Sequence, residues 1–241
     1  MPKEVDQKQT EKLTSYPQQT LKQLIEGNTK YAEKCCCKFE KLKTKQTPHV
    51  TLLSCCDSRV PQTLFGMDGL NEIFVVKNIG NQFSNSEGSI KYPIIHLKTP
   101  LLIVLGHTGC GAIKASLSDY HWEDEAIQRE IIGLVNPIKI ADREIDMSQV
   151  AEDIKFALYA QANVDYQIQR ILCDPTLKTK VQKQELYVVG MMFDIHCLYG
   201  KEAAHTYITN VNGVTDVSEI KKVDLVKNLG KNTFDALVKR L

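Results

Sequence analysis

The sequence predicts an α/β fold: a central, mostly parallel β-sheet of about four strands, a fifth antiparallel strand allowed at its edge, and helices on both faces. Three observations predict it. Short apolar runs rich in strand formers recur at Val50 to Ser54, Glu72 to Lys77, Leu101 to Gly106 and Glu185 to Phe193. Helical stretches alternate with these runs, the pattern of strands laid side by side with helices covering them. The chain has 241 residues, 43% hydrophobic and 24% charged, enough for one sizeable core and ordinary for a globular protein.

The elements follow in order. A helix is predicted from Pro17 to Lys34, opening on a proline suited to a first turn. Val50-Thr-Leu-Leu-Ser-Cys-Cys then reads as a buried strand ending near Cys55. Alternate side chains of an extended chain share a face, so Cys55, Asp57 and Arg59 are expected on one side and Cys56 on the other. Leu101-Leu-Ile-Val-Leu is a second such strand, and Gly106-His107-Thr108-Gly109-Cys110-Gly111-Ala112 turns the chain into a helix at Ile113-Lys-Ala-Ser-Leu. Residues three apart at the first turn of a helix lie on one side, which would let His107 and Cys110 grip one ion. Glycines at 106, 109 and 111 let the backbone approach whatever is bound. The charged stretch from Asp119 to Val150 is expected as helices and loops outside the sheet, and Asp224 to Leu241 as an amphipathic outer helix. The arrangement is Rossmann-like, a single domain over 1–241, with a helical arm at 1–49, a metal-binding core at 50–200 and an extension at 201–241. Its ligands belong at the carboxyl ends of the strands.

Those ends carry Cys55 and, 52 residues later, His107 and Cys110. Two thiolates and an imidazole make three protein ligands for zinc with a fourth position open to solvent, the catalytic rather than the structural arrangement. The expected chemistry is activation of water by one Zn2+ per chain. Eight cysteines without a secretory signal suit metal binding and buried thiols rather than disulfides. Cys35-Cys36-Cys37 lacks a nearby His or a matching knuckle and is not assigned a second metal; Cys173 and Cys197 are read as structural. His196, after the last strand, is read as a satisfied turn residue.

Thirty basic against 29 acidic residues leave a formal net charge of +1, which gives no electrostatic pull toward nucleic acid or an anionic membrane. The first twenty residues are polar and the apolar runs are too short for a bilayer, so a cytoplasmic protein is expected.

At these motifs the chain resembles the beta-class carbonic anhydrases, whose zinc motif is Cys-x-Asp-x-Arg followed by His-x-x-Cys. The resemblance runs from about Pro17 to Gly200. It includes Glu72-Ile-Phe-Val-Val-Lys-Asn-Ile-Gly-Asn, Ser89-Ile-Lys-Tyr, Gly106-His-Thr-Gly-Cys-Gly-Ala, Asn163-Val-x-x-Gln and Tyr187-Val-Val-Gly-Met-Met-Phe-Asp-Ile. It implies zinc-dependent, reversible hydration of carbon dioxide to bicarbonate and a proton by a zinc-bound hydroxide. Asp57 would orient that nucleophile and Arg59 would fix Asp57, a bidentate guanidinium favouring the carboxylate form; alternatively, Asp57 completes the zinc tetrahedron and shuts the site.

The resemblance also implies the open, plant-like subtype, whose pocket residues match Gln46, Phe74 and Tyr92 here, whereas the bicarbonate-inhibited subtype has a Trp where this chain has Leu52. Gln46 and the Gly111 amide would bind substrate oxygen; Phe74, Ile79 and Tyr92 would wall the pocket. One departure is Lys77, where the family has an Arg and its planar fork. The amino-terminal helix of the family wraps a neighbouring subunit, implying a homodimer or a multiple of dimers. The competing readings are hydrolysis of carbonyl sulfide or carbon disulfide on the same scaffold, and a non-catalytic zinc-binding interaction module.

Overall fold

The computed structural model describes residues 17–67, 69–227, 229 and 236–241. The chain divides into two compact units, Met1–Gln46 and Thr47–Leu241. In the first, helix α1 (Pro17–Glu40) runs six residues beyond the expected Lys34, through the three consecutive cysteines. An i,i+4 pair, Lys22 and Glu26, lies along it, and Leu21, Leu24 and Ile25 expose an apolar stripe at helical spacing.

The second unit is built on a five-stranded sheet in the order β2-β1-β3-β4-β5. Strands β1 (Val50–Cys55), β2 (Ile73–Asn78), β3 (Leu101–His107) and β4 (Tyr187–Asp194) are parallel, and β5 (His205–Val211) pairs antiparallel with β4. The near-continuous apolar runs of β1, β3 and β4 are the mark of strands covered on both faces. Strand β2 stands at the edge and is only partly buried. A bulge between Gly190 and Met191 in the β4–β5 pairing leaves Thr209 as the extra residue, fully buried.

Leu53, Cys55, Val76, Leu102, Val104, Val188 and Met192 form one face of the sheet and hold the main core. Against it pack α2 (Glu87–His96), α3 (Gly111–Ser116), α5 (Val135–Glu144), α6 (Glu152–Cys173) and α7 (Pro175–Gln182), through Ile90, Ile113, Ile138, Val164, Ile168 and Leu177. Helix α4 (Glu125–Ile132) lies between α3 and α5 in the chain. On the other face the short helices α8 (Val217–Ile220) and α9 (Asp224–Lys227) cover Val189 and Val211 with Ile220 and Val226. Asp174 joins α6 to α7: its carboxylate accepts from Thr176 N and Leu177 N at 3.0 Å, with Pro175 at the first helical position, and Lys91 lies 2.7 Å away.

The expected helix from Asp224 to Leu241 is not what forms. Only Asp224–Lys227 is helical; residues 228 and 230–235 lie outside the described residues, and 237–239 run extended along β5. Ile208 N donates to Leu237 O at 2.7 Å and Lys239 N to Ile208 O at 3.1 Å. The outer edge of β5 leaves backbone groups to be satisfied, and a short parallel bridge at Val238 uses them. Arg240 then anchors the end bidentately on Asp165 of α6, at 2.7 and 3.2 Å. Cys173 and Cys197, expected as structural thiols, are both exposed. The first lies at the end of α6, and the second in a left-handed turn with φ 58°, beyond the reach of the core. No helix among the described residues is long and apolar enough to cross a membrane.

Candidate metal centre

Cys55 is the last residue of β1 and His107 the last of β3, so the sheet sets both at the carboxyl ends of neighbouring strands. Cys110 follows His107 by way of a turn, not a helix. Gly109 has φ +68° and Cys110 is extended at the N-cap of α3, so the tight left-handed step folds Cys110 back beside His107. A β-carbon at Gly109 would stand 2.3 Å from Cε1 of His196, so steric closeness and backbone angle both require glycine there. The ligand atoms of Cys55, His107 and Cys110 all lie within 4.8 Å of one another, and the three residues are 5%, 0% and 3% exposed.

Whether this cluster suits a metal is decided by its polar atoms. His107 Nδ1 lies 3.1 Å from the carbonyl of Thr108, which fixes its proton on Nδ1 and leaves the Nε2 lone pair free. That Nε2 is buried without a hydrogen-bond partner. A buried polar atom of this kind is costly unless a further group binds it. The thiols are mismatched in a complementary way. Cys55 is held well below the ordinary thiol range, chiefly by a hydrogen bond from Cys110, with help from the amides of Asp57 and Gly80 against its desolvation. Cys110 is pushed up, chiefly because Cys55 holds its proton, with burial and the neighbouring thiolate adding to the effect. One proton is shared between two buried sulfurs, and a thiophilic divalent cation in its place would satisfy both sulfurs and the orphaned nitrogen. A buried donor set of two sulfurs and one nitrogen fits zinc.

Asp57 and Arg59 meet beside the cluster through a turn. The strand ends at Cys55, Val60 N donates to Asp57 O at 3.1 Å, and Arg59 N donates to Asp57 Oδ1 at 2.9 Å. The expected strand alternation therefore does not position them; a carboxylate capping its own turn does. Arg59 Nε donates to Asp57 Oδ1 at 2.9 Å and Nη2 to Oδ2 at 2.7 Å, while Nη2 also reaches Gly109 O at 3.0 Å. One guanidinium thus ties the first motif to the second. Its hydrogen bonds hold the Asp57 carboxyl well below the usual carboxylate range, against partial burial, which acts the other way. Asp57 Oδ2 is 3.9 Å from His107 Nε2, facing the ligand cluster. Lys77, which lacks the planar fork, makes a single contact that needs none, donating to Val60 O at 2.7 Å. Cys56 is exposed, whereas Cys55 is buried.

Of the other expected site residues, Ile79 directly follows Asn78, the register partner of Cys55, and Gly111 opens α3 beside Cys110. Phe74 and Tyr92 do pack together, ring centroids 6.2 Å apart. Phe74 pairs with Thr51, however, four residues before Cys55 on β1, about 13 Å back along the strand. Tyr92 is exposed. Gln46 belongs to the first unit and is exposed.

The surrounding shell contains residues to which sequence reasoning gave no role. Thr108 Oγ1 accepts from Ile195 N at 2.8 Å, stands 2.9 Å from His196 Nδ1 and donates to Asp194 Oδ1 at 3.4 Å. Buried Asp194 also accepts from His196 N at 3.1 Å and Tyr199 N at 2.7 Å. His196 is a bonded turn residue, as expected, and its ring backs the Gly109 turn. The second support comes from α6, where Asn163 and Gln167, buried and four apart, hold the loop after β2. Their i,i+4 polar spacing within an apolar helical stretch was the signal that could have found them.

The carbonic anhydrase family model matches residues 50–199. The carbonic anhydrase of Mycolicibacterium smegmatis is 38% identical over 114 residues, covering 46% of this chain and 55% of that protein, little more than half its length. That of Helicobacter pylori is 30% identical over 178 residues, 65% of this chain and 76% of that one. A solved structure from a study of two tetrameric beta-carbonic anhydrases of Sordaria macrospora superposes with a TM-score of 0.69 at 26% identity, covering 79% of this chain and 97% of that one. The matched segment opens on the first residue of β1 and contains Cys55, His107 and Cys110 together with Asp57 and Arg59, and on these grounds the chain belongs to the beta-class carbonic anhydrase family of enzymes.

Proposed function

We propose that this protein catalyses the reversible hydration of carbon dioxide, CO2 + H2O giving HCO3− and H+, with one Zn2+ per subunit held by Cys55, His107 and Cys110. The observation that carries the reading is the unpartnered Nε2 of His107 converging, within 4.8 Å, with the sulfurs of buried Cys55 and Cys110. Zinc, when bound, supplies a Lewis acid that brings a water close to deprotonation near neutral pH.

The chain's own residues supply position and polarity. Asp57, held ionised by Arg59, offers the side of Oδ2 that faces the cluster as an acceptor for one proton of that water. Such a hydrogen bond would let Asp57 orient the water for attack on carbon dioxide. Arg59, by holding Asp57 on its own guanidinium, would keep the carboxylate from ligating the metal, as the open, plant-like reading requires. Gly111, next to Cys110, would offer its N–H to a substrate oxygen, and Ile79, next to the register partner of Cys55, would exclude water.

Phe74, set back from its own cluster on the edge strand β2, Tyr92 of α2, which packs against it, and Gln46 would serve as pocket residues across an interface with a second copy. The apolar stripe of Leu21, Leu24 and Ile25 supports a homodimer or a multiple of dimers, and the Sordaria macrospora relatives are tetrameric. We assign 1–241 to a single family domain with a helical arm and a carboxyl-terminal extension, in a reducing cytoplasm that keeps all eight cysteines free.

Metal content and stopped-flow carbon dioxide hydration test the proposal together, with carbonyl sulfide assayed alongside. Stoichiometric zinc, turnover that collapses in Asp57→Asn and Cys110→Ser, and a strong preference for carbon dioxide are expected. Metal-free protein, undiminished turnover in both variants, or a preference for the sulfur substrate would overturn it.

A further inference from the structure

The candidate metal centre uses two of eight cysteines, and the first unit carries a thiol cluster of its own. In α1, Cys36 and Cys37 are exposed and their Sγ atoms lie 3.8 Å apart. Two Zn–S bonds of about 2.3 Å meeting at a tetrahedral angle place their sulfurs about 3.8 Å apart. The helix therefore presents two corners of a metal tetrahedron with no rearrangement of the backbone. Cys36 Sγ also lies 3.8 Å from the carbonyl of Glu33. Glu33 and Glu40 sit three or four residues to either side of the pair, on the same face of the helix.

The alternative fate of two neighbouring thiols is oxidation to a disulfide. Adjacent Cα atoms are about 3.8 Å apart across a trans peptide, less than the 4.4 Å or so that disulfides require, and a helical backbone gives no freedom to adjust. Chelation meets no such obstacle, and paired thiolates select thiophilic cations over magnesium or calcium. The sequence offered no His or second knuckle here, because adjacency within a helix is not a knuckle spacing.

We propose that Cys36 and Cys37 form a second, exposed dithiolate site for a thiophilic divalent cation of the zinc and cadmium type. Binding releases one proton from each Sγ to solvent and forms two metal–sulfur bonds, with no change of oxidation state. Exposure and only two sulfur donors make this site weaker than the buried one.

The test is a titration of the reduced, zinc-loaded full chain with Cd2+, followed by sulfur-to-cadmium charge-transfer absorption. It compares the wild type with Cys36→Ser, Cys37→Ser, the double variant, and Cys173→Ser as a control for a single exposed thiol. Circular dichroism checks that α1 is retained. The wild type and Cys173→Ser should bind one more cadmium ion than the double variant, and each single variant should lose at least about tenfold in affinity, as expected when one arm of a chelate is removed. The proposal is overturned if the double variant takes up as much cadmium as the wild type, since the signal then comes from exchange at Cys55 and Cys110. It is equally overturned if either single variant binds as tightly as the wild type.

Discussion

Asn163 donates its side-chain amide to the carbonyl of Gly80 across 2.9 Å, and Gly80 in turn points its own N–H at the sulfur of Cys55. A buried helix residue 108 positions along the chain thus sets the loop that supports a metal ligand. The chain of contacts extends outward. Gln167 donates to Asn163 Oδ1 at 2.9 Å and accepts from Phe83 N at 2.9 Å, so α6 fixes both ends of the loop from Gly80 to Phe83.

Replacing Asn163 with Ala leaves the Gly80 carbonyl and one Gln167 donor buried without partners. That should cost about 1–3 kcal/mol of stability. The loosened Gly80 amide should also weaken zinc binding by about tenfold, a supporting-shell effect. Urea unfolding and competition with a chromophoric zinc chelator measure the two separately. Unchanged zinc affinity together with lost stability would confine Asn163 to packing.

Gly109 is more sharply constrained. Gly109→Ala forces a β-carbon to within 2.3 Å of His196 Cε1 and holds alanine at φ +68°. Backbone strain alone should cost about 1–3 kcal/mol, with the clash added to it. His196→Ala in the same chain should recover the steric part only. A double-mutant cycle would therefore show coupling of about 1 kcal/mol between two residues that share no hydrogen bond. Strict additivity would mean that the turn moves aside freely.

What was legible in the sequence divides along physical lines. Strands β1, β3 and β4 were readable because buried parallel strands are apolar on both faces, and the candidate ligands Cys55, His107 and Cys110 were readable because metal chemistry admits few residue types. The reason the ligands converge was not. His107 and Cys110 meet through a left-handed glycine, and Asp57 and Arg59 through a carboxylate-capped turn, whereas sequence spacing suggested a helix and a strand. Residue spacing constrains reach, but several backbone paths give the same reach. The carboxyl-terminal segment failed for another reason: its apolar pattern suits a helix, yet the edge of β5 offers Leu237 and Lys239 tertiary hydrogen bonds that no local pattern reports. Asn163, Asp194 and Thr108 reach the site through contacts 83 to 88 residues away, which no local pattern reports.

The joint between α6 and α7 should be sensitive to acid. Burial alone would raise the Asp174 pKa, yet hydrogen bonds from Lys91 and from the amides of Leu177 and Thr176 bring it below its ordinary value. The unfolded chain then binds this proton more tightly than the folded one. The stabilisation is complete above the ordinary aspartate value of about 3.9 and is lost as pH falls through the lower folded value. Asp174→Asn keeps a capping oxygen and removes the charge, so it should be less stable by about 1 kcal/mol at pH 7. Urea unfolding at pH 7, 4 and 3 should show the gap between the two proteins closing at pH 3. Because acid release of metal affects both alike, the difference isolates Asp174. A gap that is constant with pH would assign the loss to packing.

Arg59 discriminates between charge and geometry at the site. Its three donors to Asp57 and one to Gly109 use the backbone amide and both prongs of the fork. Arg59→Lys keeps the cation, and with it most of the electrostatic reason for Asp57 to stay ionised, but cannot hold both carboxylate oxygens and Gly109 at once. If orientation is what Arg59 supplies, kcat for carbon dioxide hydration should fall by as much as about 100-fold, the scale of a misplacement of about 1 Å, with zinc content unchanged. Arg59→Gln should fall at least as far, and its activity should also decline at a higher pH than that of Arg59→Lys, because an Asp57 without a cation titrates nearer its ordinary value. An Arg59→Lys variant that keeps the wild-type kcat while Arg59→Gln loses it would instead make charge, and not direction, the contribution of Arg59. The pair is informative because the lysine removes the fork alone, whereas the glutamine removes fork and charge together.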